Sequence, residues 1–251
     1  MSHKENQTYL LIGKTGSGKS FHAKSILEND LKNIPFDNRW LISPTAMQMM
    51  DTTLLDYFPE DNVENEFDEE FITFVIVELV KSERRKLYDK FHYRTTEEGG
   101  RVKIPRNKNE KPKYEHYLIF VDDFIENLKF AGGKVRGLAA LIIKARHYNI
   151  NLILTSQSYT KVDHVIRSNT KQLILFGANA NEINKLSKEH NIFAKSKTFR
   201  QYFQYLTDED YSYVHINYNY PVSKSFDDNK VTPREFVEKV KNGEIIDELD
   251  V

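Results

Sequence analysis

Apolar residues along this chain follow two rhythms. Short, nearly unbroken runs occur at Tyr9-Leu10-Leu11-Ile12, Trp40-Leu41-Ile42, Tyr117-Leu118-Ile119-Phe120-Val121, Leu152-Ile153-Leu154 and Leu173-Ile174-Leu175-Phe176. Runs of this length, bounded by polar residues, predict strands buried on both faces. Between them, apolar positions recur at helical spacing. Ile72, Val75, Ile76, Leu79, Val80 and Leu87 predict a helix from about Glu69 to Phe91, although the β-branched stretch from Ile72 to Val77 also suits a strand. Leu138, Leu141, Ile142 and Ala145 predict a helix opened by Gly132-Gly133, and Asn181 to His190 predicts another.

Strands alternating with helix-length segments predict an α/β fold, a mostly parallel sheet with helices on both faces. Phe199 to Tyr220 is aromatic-rich and partly alternating, which predicts edge strands. Thr232-Pro233 is a helix start, with Thr as cap and Pro in the first turn, and an acidic tail follows. The reading is one main domain over residues 1–225 and a small C-terminal extension over 226–251, with no internal repeat.

Composition narrows this picture modestly. A chain of 251 residues with 39% hydrophobic and 29% charged residues suits one sizeable soluble α/β domain. The longest apolar stretches, such as Leu138 to Ile143, are far too short to cross a bilayer, so no membrane insertion is expected. Met1 to Gln7 lacks the apolar core of a signal peptide, so secretion is not expected. The absence of cysteine excludes disulfides and thiolate metal sites and fits a reducing compartment.

Charge is distributed unevenly. Asp51 to Glu70 carries nine acidic residues and no Lys or Arg, whereas Lys81 to Lys113 carries 12 Lys/Arg against 5 Asp/Glu. Periodicity vanishes over about 94–113, which predicts an exposed basic loop inserted in the domain. Arg101, Lys103, Arg106 and Lys108 on this loop are candidates for contact with a polyanion such as DNA, although a charge run is as often a solvated surface.

Gly13-Lys14-Thr15-Gly16-Ser17-Gly18-Lys19-Ser20 matches the phosphate-binding pattern G-x-x-x-x-G-K-[ST] at every defined position. An apolar strand precedes it, and a helical segment from Phe21 to Leu27 follows. In that context successive backbone N–H groups and the helix N-terminus face a phosphate chain. Lys19 would reach the β- and γ-phosphates of ATP, and the Ser20 hydroxyl would ligate Mg²⁺.

Hydrolysis needs carboxylates as well, and the strand from Leu118 ends on Asp122-Asp123. Asp122 is the candidate Mg²⁺ ligand and Asp123 the candidate to orient the attacking water. Gln157, at the end of the next core strand, is a candidate γ-phosphate sensor. The tyrosines between Tyr202 and Tyr220 fit packing better than base stacking, and the histidines show no metal-ligand spacing.

The run from Lys144 to Ser158, an Arg before a strand that ends in Gln, resembles the FtsK–HerA class of motors. Its continuation from Tyr159 to Asn169, with Ile166-Arg167-Ser168-Asn169, is similar to the genome-packaging ATPases of poxviruses, other large DNA viruses and virophages. The likeness covers roughly Tyr9 to Phe176. It implies a P-loop NTPase core of RecA-like (ASCE) type and a homo-oligomeric ring, a pentamer or hexamer. Such a ring would hydrolyse ATP to drive double-stranded DNA into a capsid at its vertex, in the host cytoplasm and with the virion.

In that family an Arg before the sensor strand acts on the neighbour's γ-phosphate. The matching residue here is Arg146, with Arg167 a second candidate for an interface or phosphate contact. Asp at position 123, where related motors usually carry Glu, keeps open a nucleotide-gated scaffold without productive turnover. A helicase or conjugative-type DNA pump uses the same core and also stays open.

Overall fold

In the computed structural model the described residues are 6–46, 52–66, 68, 77–105, 112–123, 138–190, 192–218 and 229–245. Each apolar run becomes a strand: β1 Thr8–Ile12, β2 Arg39–Ile42, β6 Tyr117–Val121, β7 Ile150–Ser156 and β8 Gln172–Leu175. All five are buried along their whole length, which explains their unbroken apolar pattern. With β3 Val63–Glu64 and β9 Val214–Asn217 they form a sheet of seven described strands in the order β3-β2-β6-β7-β1-β8-β9. Every pairing is parallel except β8 with β9. This is the α/β architecture read from the sequence.

Alternate residues feed two cores. Leu10, Ile12, Ile119, Val121, Leu152 and Leu154 point to one face, and Tyr9, Leu11, Leu118, Phe120 and Ile153 to the other. The second face is covered by α1 Lys19–Asn29 through Ala23, Ile26 and Leu27, with Leu54 and Phe58 beside it. The first face is covered by α2 Val77–His92, α3 Leu138–Ala145, α4 His164–Asn169 and α5 Ala180–Glu189. It also receives α6 Ser196–Leu206 and α7 Pro233–Lys241, whose Phe236 is fully buried against Tyr202 and Phe193. No helix among the described residues is long and apolar enough to cross a membrane.

Two expectations need correction. Phe199 to Leu206 is helix, not edge strand: Phe199, Tyr202, Phe203 and Leu206 recur at helical spacing and all face the core. Among the described residues of that stretch, β9 at Val214–Asn217 alone fulfils the edge-strand reading. The basic segment is not wholly loop, because β4 Tyr93–Thr95 and β5 Arg101–Lys103 pair as an antiparallel hairpin. The acidic stretch from Asp51 to Glu70 contains the short strand β3. Residues 69–76, Gly132-Gly133, Arg106 and Lys108 lie outside the described residues.

Helix α2 is tied at two places. Arg101 of the hairpin pairs with Asp89 at 2.8 Å, and its guanidinium lies 5.1 Å over the Tyr93 ring. Arg84 donates to the carbonyl of His147 and lies 4.4 Å over the Tyr114 ring.

Candidate nucleotide site

Parallel β1, β6 and β7 lie side by side, so their carboxyl ends deliver Gly13, Asp122 and Gln157 to one edge of the sheet. Ligand sites in open α/β sheets form at such edges. The loop after β1 is sterically specified. A Cβ at Gly13 would meet Ser17 Oγ at 2.4 Å and Phe176 Cβ at 2.8 Å, so only glycine fits there.

Gly18 caps α1 at φ 98°, in the left-handed region, and no side chain caps that helix. By contrast, α5 and α7 begin with full capping boxes, Asn179 with Glu182 and Thr232 with Glu235. The first turn of α1 therefore offers its N–H groups to the loop interior, the arrangement that suits an anion.

Lys19 is 8% exposed, and its ammonium donates to the carbonyl oxygens of Gly13 at 2.6 Å and Lys14 at 3.0 Å. Ser20 beside it is exposed. Across the edge, buried Asp122 accepts from Thr155 Oγ1 at 2.5 Å through Oδ1 and from Ser43 Oγ at 3.2 Å through Oδ2. Burial pushes the Asp122 carboxyl above the ordinary carboxylate range, and the charge of Asp123 adds to this. The two hydroxyl hydrogen bonds and the Lys19 charge oppose it.

Asp123 sits at φ 57°, a conformation Asp tolerates better than most residues. Its N–H donates to Thr155 Oγ1 at 3.0 Å, and its Oδ2 accepts from Gln157 Nε2 at 2.9 Å. Four buried side-chain atoms among the described residues lack a hydrogen-bond partner, and two are here: Ser17 Oγ and Asp123 Oδ1. A buried polar atom without a partner is costly unless something else satisfies it.

A family model described as Poxvirus A32 protein matches residues 3–224. The chain belongs to the poxvirus A32 family. The resemblance to viral packaging ATPases read from the residues agrees with that membership. No curated individual protein matches the sequence.

The A32-family chain is also similar to B204, the DNA-packaging ATPase from Sulfolobus turreted icosahedral virus. The TM-score is 0.53 at 13% identity, over 86% of this chain and 95% of that one. B204 from Sulfolobus turreted icosahedral virus 2, solved in complex with ATP-gammaS, gives a TM-score of 0.52 at 15% identity, over 87% and 95%. At that identity the likeness is one of fold, the P-loop NTPase fold.

Two of the remaining A32-chain candidates are not at this edge. Arg146 is exposed in a short 3-10 turn, Arg146–Tyr148, just before the amino end of β7. Arg167 is buried, in contrast to the expected interface contact. Its guanidinium pairs with Glu189 at 3.0 and 3.2 Å, donates to the Val162 carbonyl and lies 5.0 Å over the Tyr159 ring. These contacts bind α4 to α5, so Arg167 is structural. Arg101 and Lys103 are exposed on the hairpin, with Arg101 held by Asp89.

The sequence reading missed Thr155 and Ser43, the hydroxyls that hold Asp122. Thr155, next to last in β7, is a polar interruption near the end of an apolar strand. That interruption was the available signal.

One neighbour of the loop makes the A32-family fold sensitive to acid. His22 on α1 packs edge-on against Tyr213 at 4.6 Å and Phe176 at 5.7 Å. Burial, then the charge of His215, lowers its pKa from 6.5 to about 4, with Asp30 opposing. In the unfolded chain the imidazole takes up its proton near pH 6.5 and in the folded chain near 4. The stabilisation is therefore present above pH 6.5 and is lost as pH falls to 4, by ~3 kcal/mol at most. Urea unfolding at pH 7 and pH 4.5 should show a smaller acid loss for His22→Phe than for wild type.

Proposed function

We propose that this chain is an ATP-hydrolysing motor that drives double-stranded DNA into a viral capsid, at the capsid vertex and in the host cytoplasm. It would work as a homo-oligomeric ring, a pentamer or hexamer. The observation that carries this reading is the division of parts between opposite edges of one sheet. The phosphate loop, Asp122, Asp123 and Gln157 share the carboxyl edge, while the exposed Arg146 stands at the amino end of β7. The seven residues of β7 span roughly 23 Å. Arg146 is therefore out of reach of its own loop, which favours action in a neighbouring subunit's site. The complex of B204 with ATP-gammaS supports ATP as the nucleotide.

In this reading the N–H groups of the loop and of the first turn of α1 hold the phosphates. Lys19 turns from the loop carbonyls to the β- and γ-phosphates. The Ser20 hydroxyl and the Asp122 carboxylate are hard oxygen donors of the kind Mg²⁺ takes and would hold it beside the phosphates. No cluster of three or more His, Asp or Glu that could hold a metal alone occurs among the described residues, which suits such a shared site. Bound Mg²⁺ supplies charge neutralisation on the phosphates. Thr155 and Ser43 keep Asp122 oriented. Asp123 offers its unpartnered Oδ1 to the attacking water while Gln157 holds Oδ2. The same Gln157 amide is positioned to leave Asp123 for a γ-phosphate and so to report its presence.

The test is ATP hydrolysis by the purified chain with and without linear duplex DNA, together with the mass of the assembly it forms. DNA-stimulated turnover by a ring of five or six subunits is expected. Nucleotide binding without turnover under either condition would replace the motor with a nucleotide-gated switch. Separation of forked DNA in place of movement on intact duplex would make the chain a helicase.

A further inference from the structure

Two aromatic side chains at the loop take no part in the chemistry above. Phe21 and Tyr211 are 81% and 71% exposed, the two most exposed large hydrophobic residues among those described. A single exposed aromatic is ordinary. Here three observations coincide.

Tyr211 is held at φ 64°, a left-handed conformation unfavourable for a bulky side chain and found where surrounding structure imposes it, often at ligand clamps. Its ring is seated on the last glycine of the phosphate loop. A Cβ at Gly18 would lie 3.3 Å from Tyr211 Cδ1 and 3.8 Å from Tyr211 Cβ. Behind it, His22, Phe176 and Tyr213 pack together, with ring centroids 4.6 Å apart for His22 and Tyr213 and 5.4 Å for Phe176 and Tyr213.

The sheet order supplies the direction. Asp122 and Asp123 end β6 and Gln157 follows β7, so the carboxylates that face a γ-phosphate lie on one side of β1. The nucleoside end of a bound triphosphate must then extend to the other side, over β8 and β9. Phe176 follows β8 there, and Tyr211 precedes β9. Phe21, three residues after Gly18, is exposed in the first turn of α1.

We propose that Tyr211 is the surface on which the base of the bound nucleoside triphosphate stacks. The inference rests on the nucleotide site proposed above and names what holds the end of the ligand that the phosphate loop leaves free. Stacking is tolerant of base identity because every base has a π-face, so Tyr211 contributes affinity rather than discrimination between purines.

Calorimetric titration of the full chain with two probes, a non-hydrolysable ATP analogue and inorganic tripolyphosphate, separates base from phosphate. Tyr211→Ala should weaken the ATP analogue roughly tenfold and leave tripolyphosphate unchanged. Retained tripolyphosphate binding also reports an intact fold. Tyr211→Phe and Tyr211→Trp should restore analogue affinity. Unchanged analogue affinity in Tyr211→Ala, or equal losses for both probes, would overturn the proposal. A change confined to the mass of the assembly would overturn it too, and would make Tyr211 a subunit contact. Binding of neither probe by wild type would remove the nucleotide site itself. Binding without DNA-stimulated turnover would sink only the motor reading.

Discussion

Lys19→Ala is expected to lower ATP turnover by ~10²–10³-fold or more, the scale seen when one preorganised charge-stabilising donor is removed from an active site. The magnitude follows from where the ammonium sits. It is 8% exposed and poised on the carbonyls of Gly13 and Lys14, at the point where phosphate charge would concentrate. A cation in such a poorly hydrated position acts far more strongly than one in water. The same two hydrogen bonds tie the loop to α1, so some loss of local order accompanies the loss of charge. Thermal melts of the variant and of Lys19→Arg separate the two contributions. The Arg variant keeps the charge but not the compact fit, and it should stay strongly impaired while melting near wild type. Phosphate release is the readout, and wild-type turnover by Lys19→Ala would place the triphosphate elsewhere.

Arg146→Ala should be at least as damaging, by ~10³-fold or more, while leaving ATP affinity little changed, because an arginine finger stabilises charge that develops in the transition state. The fold should tolerate the change. Arg146 is exposed, and its Nε donates to His147 Nε2 over a long 3.5 Å. Its distance from the phosphate loop gives the decisive experiment. Lys19→Ala subunits lack a working loop but keep Arg146, and Arg146→Ala subunits have the reverse defect. Mixed assemblies should recover part of the turnover that neither variant shows alone. Absence of recovery in assemblies verified by mass to contain both subunits would count against action across the interface.

What the sequence disclosed follows from the physics of each part. The five central strands were legible because strands covered on both faces must be apolar throughout. The loop was legible because Gly13 and Gly18 are there for steric reasons that admit few alternatives. Thr155 and Ser43 were not, because a hydroxyl at a strand end has many uses until the register sets it beside Asp122. Arg167 was misread for the same reason, since its partner Glu189 lies 22 residues away. The hairpin was hidden because strands of three residues carry almost no pattern. It is fixed by a contact outside itself, Arg101 with Asp89 of α2, beside the internal stacking of Arg101 over Tyr93. In α6 the helical spacing of Phe199, Tyr202, Phe203 and Leu206 was present. It was overridden by the strand preference that aromatic residues carry in general.

The two ties on α2 have a mechanical meaning. Asp89, which holds the basic hairpin, and Arg84, which holds the turn bearing Arg146, are five residues apart on one helix, about 7.5 Å along its axis. A continuous helix over that distance behaves as a stiff rod pinned at both points. The basic hairpin and the turn bearing Arg146 are thus fastened to one segment of helix, so a displacement of α2 would move both attachments together.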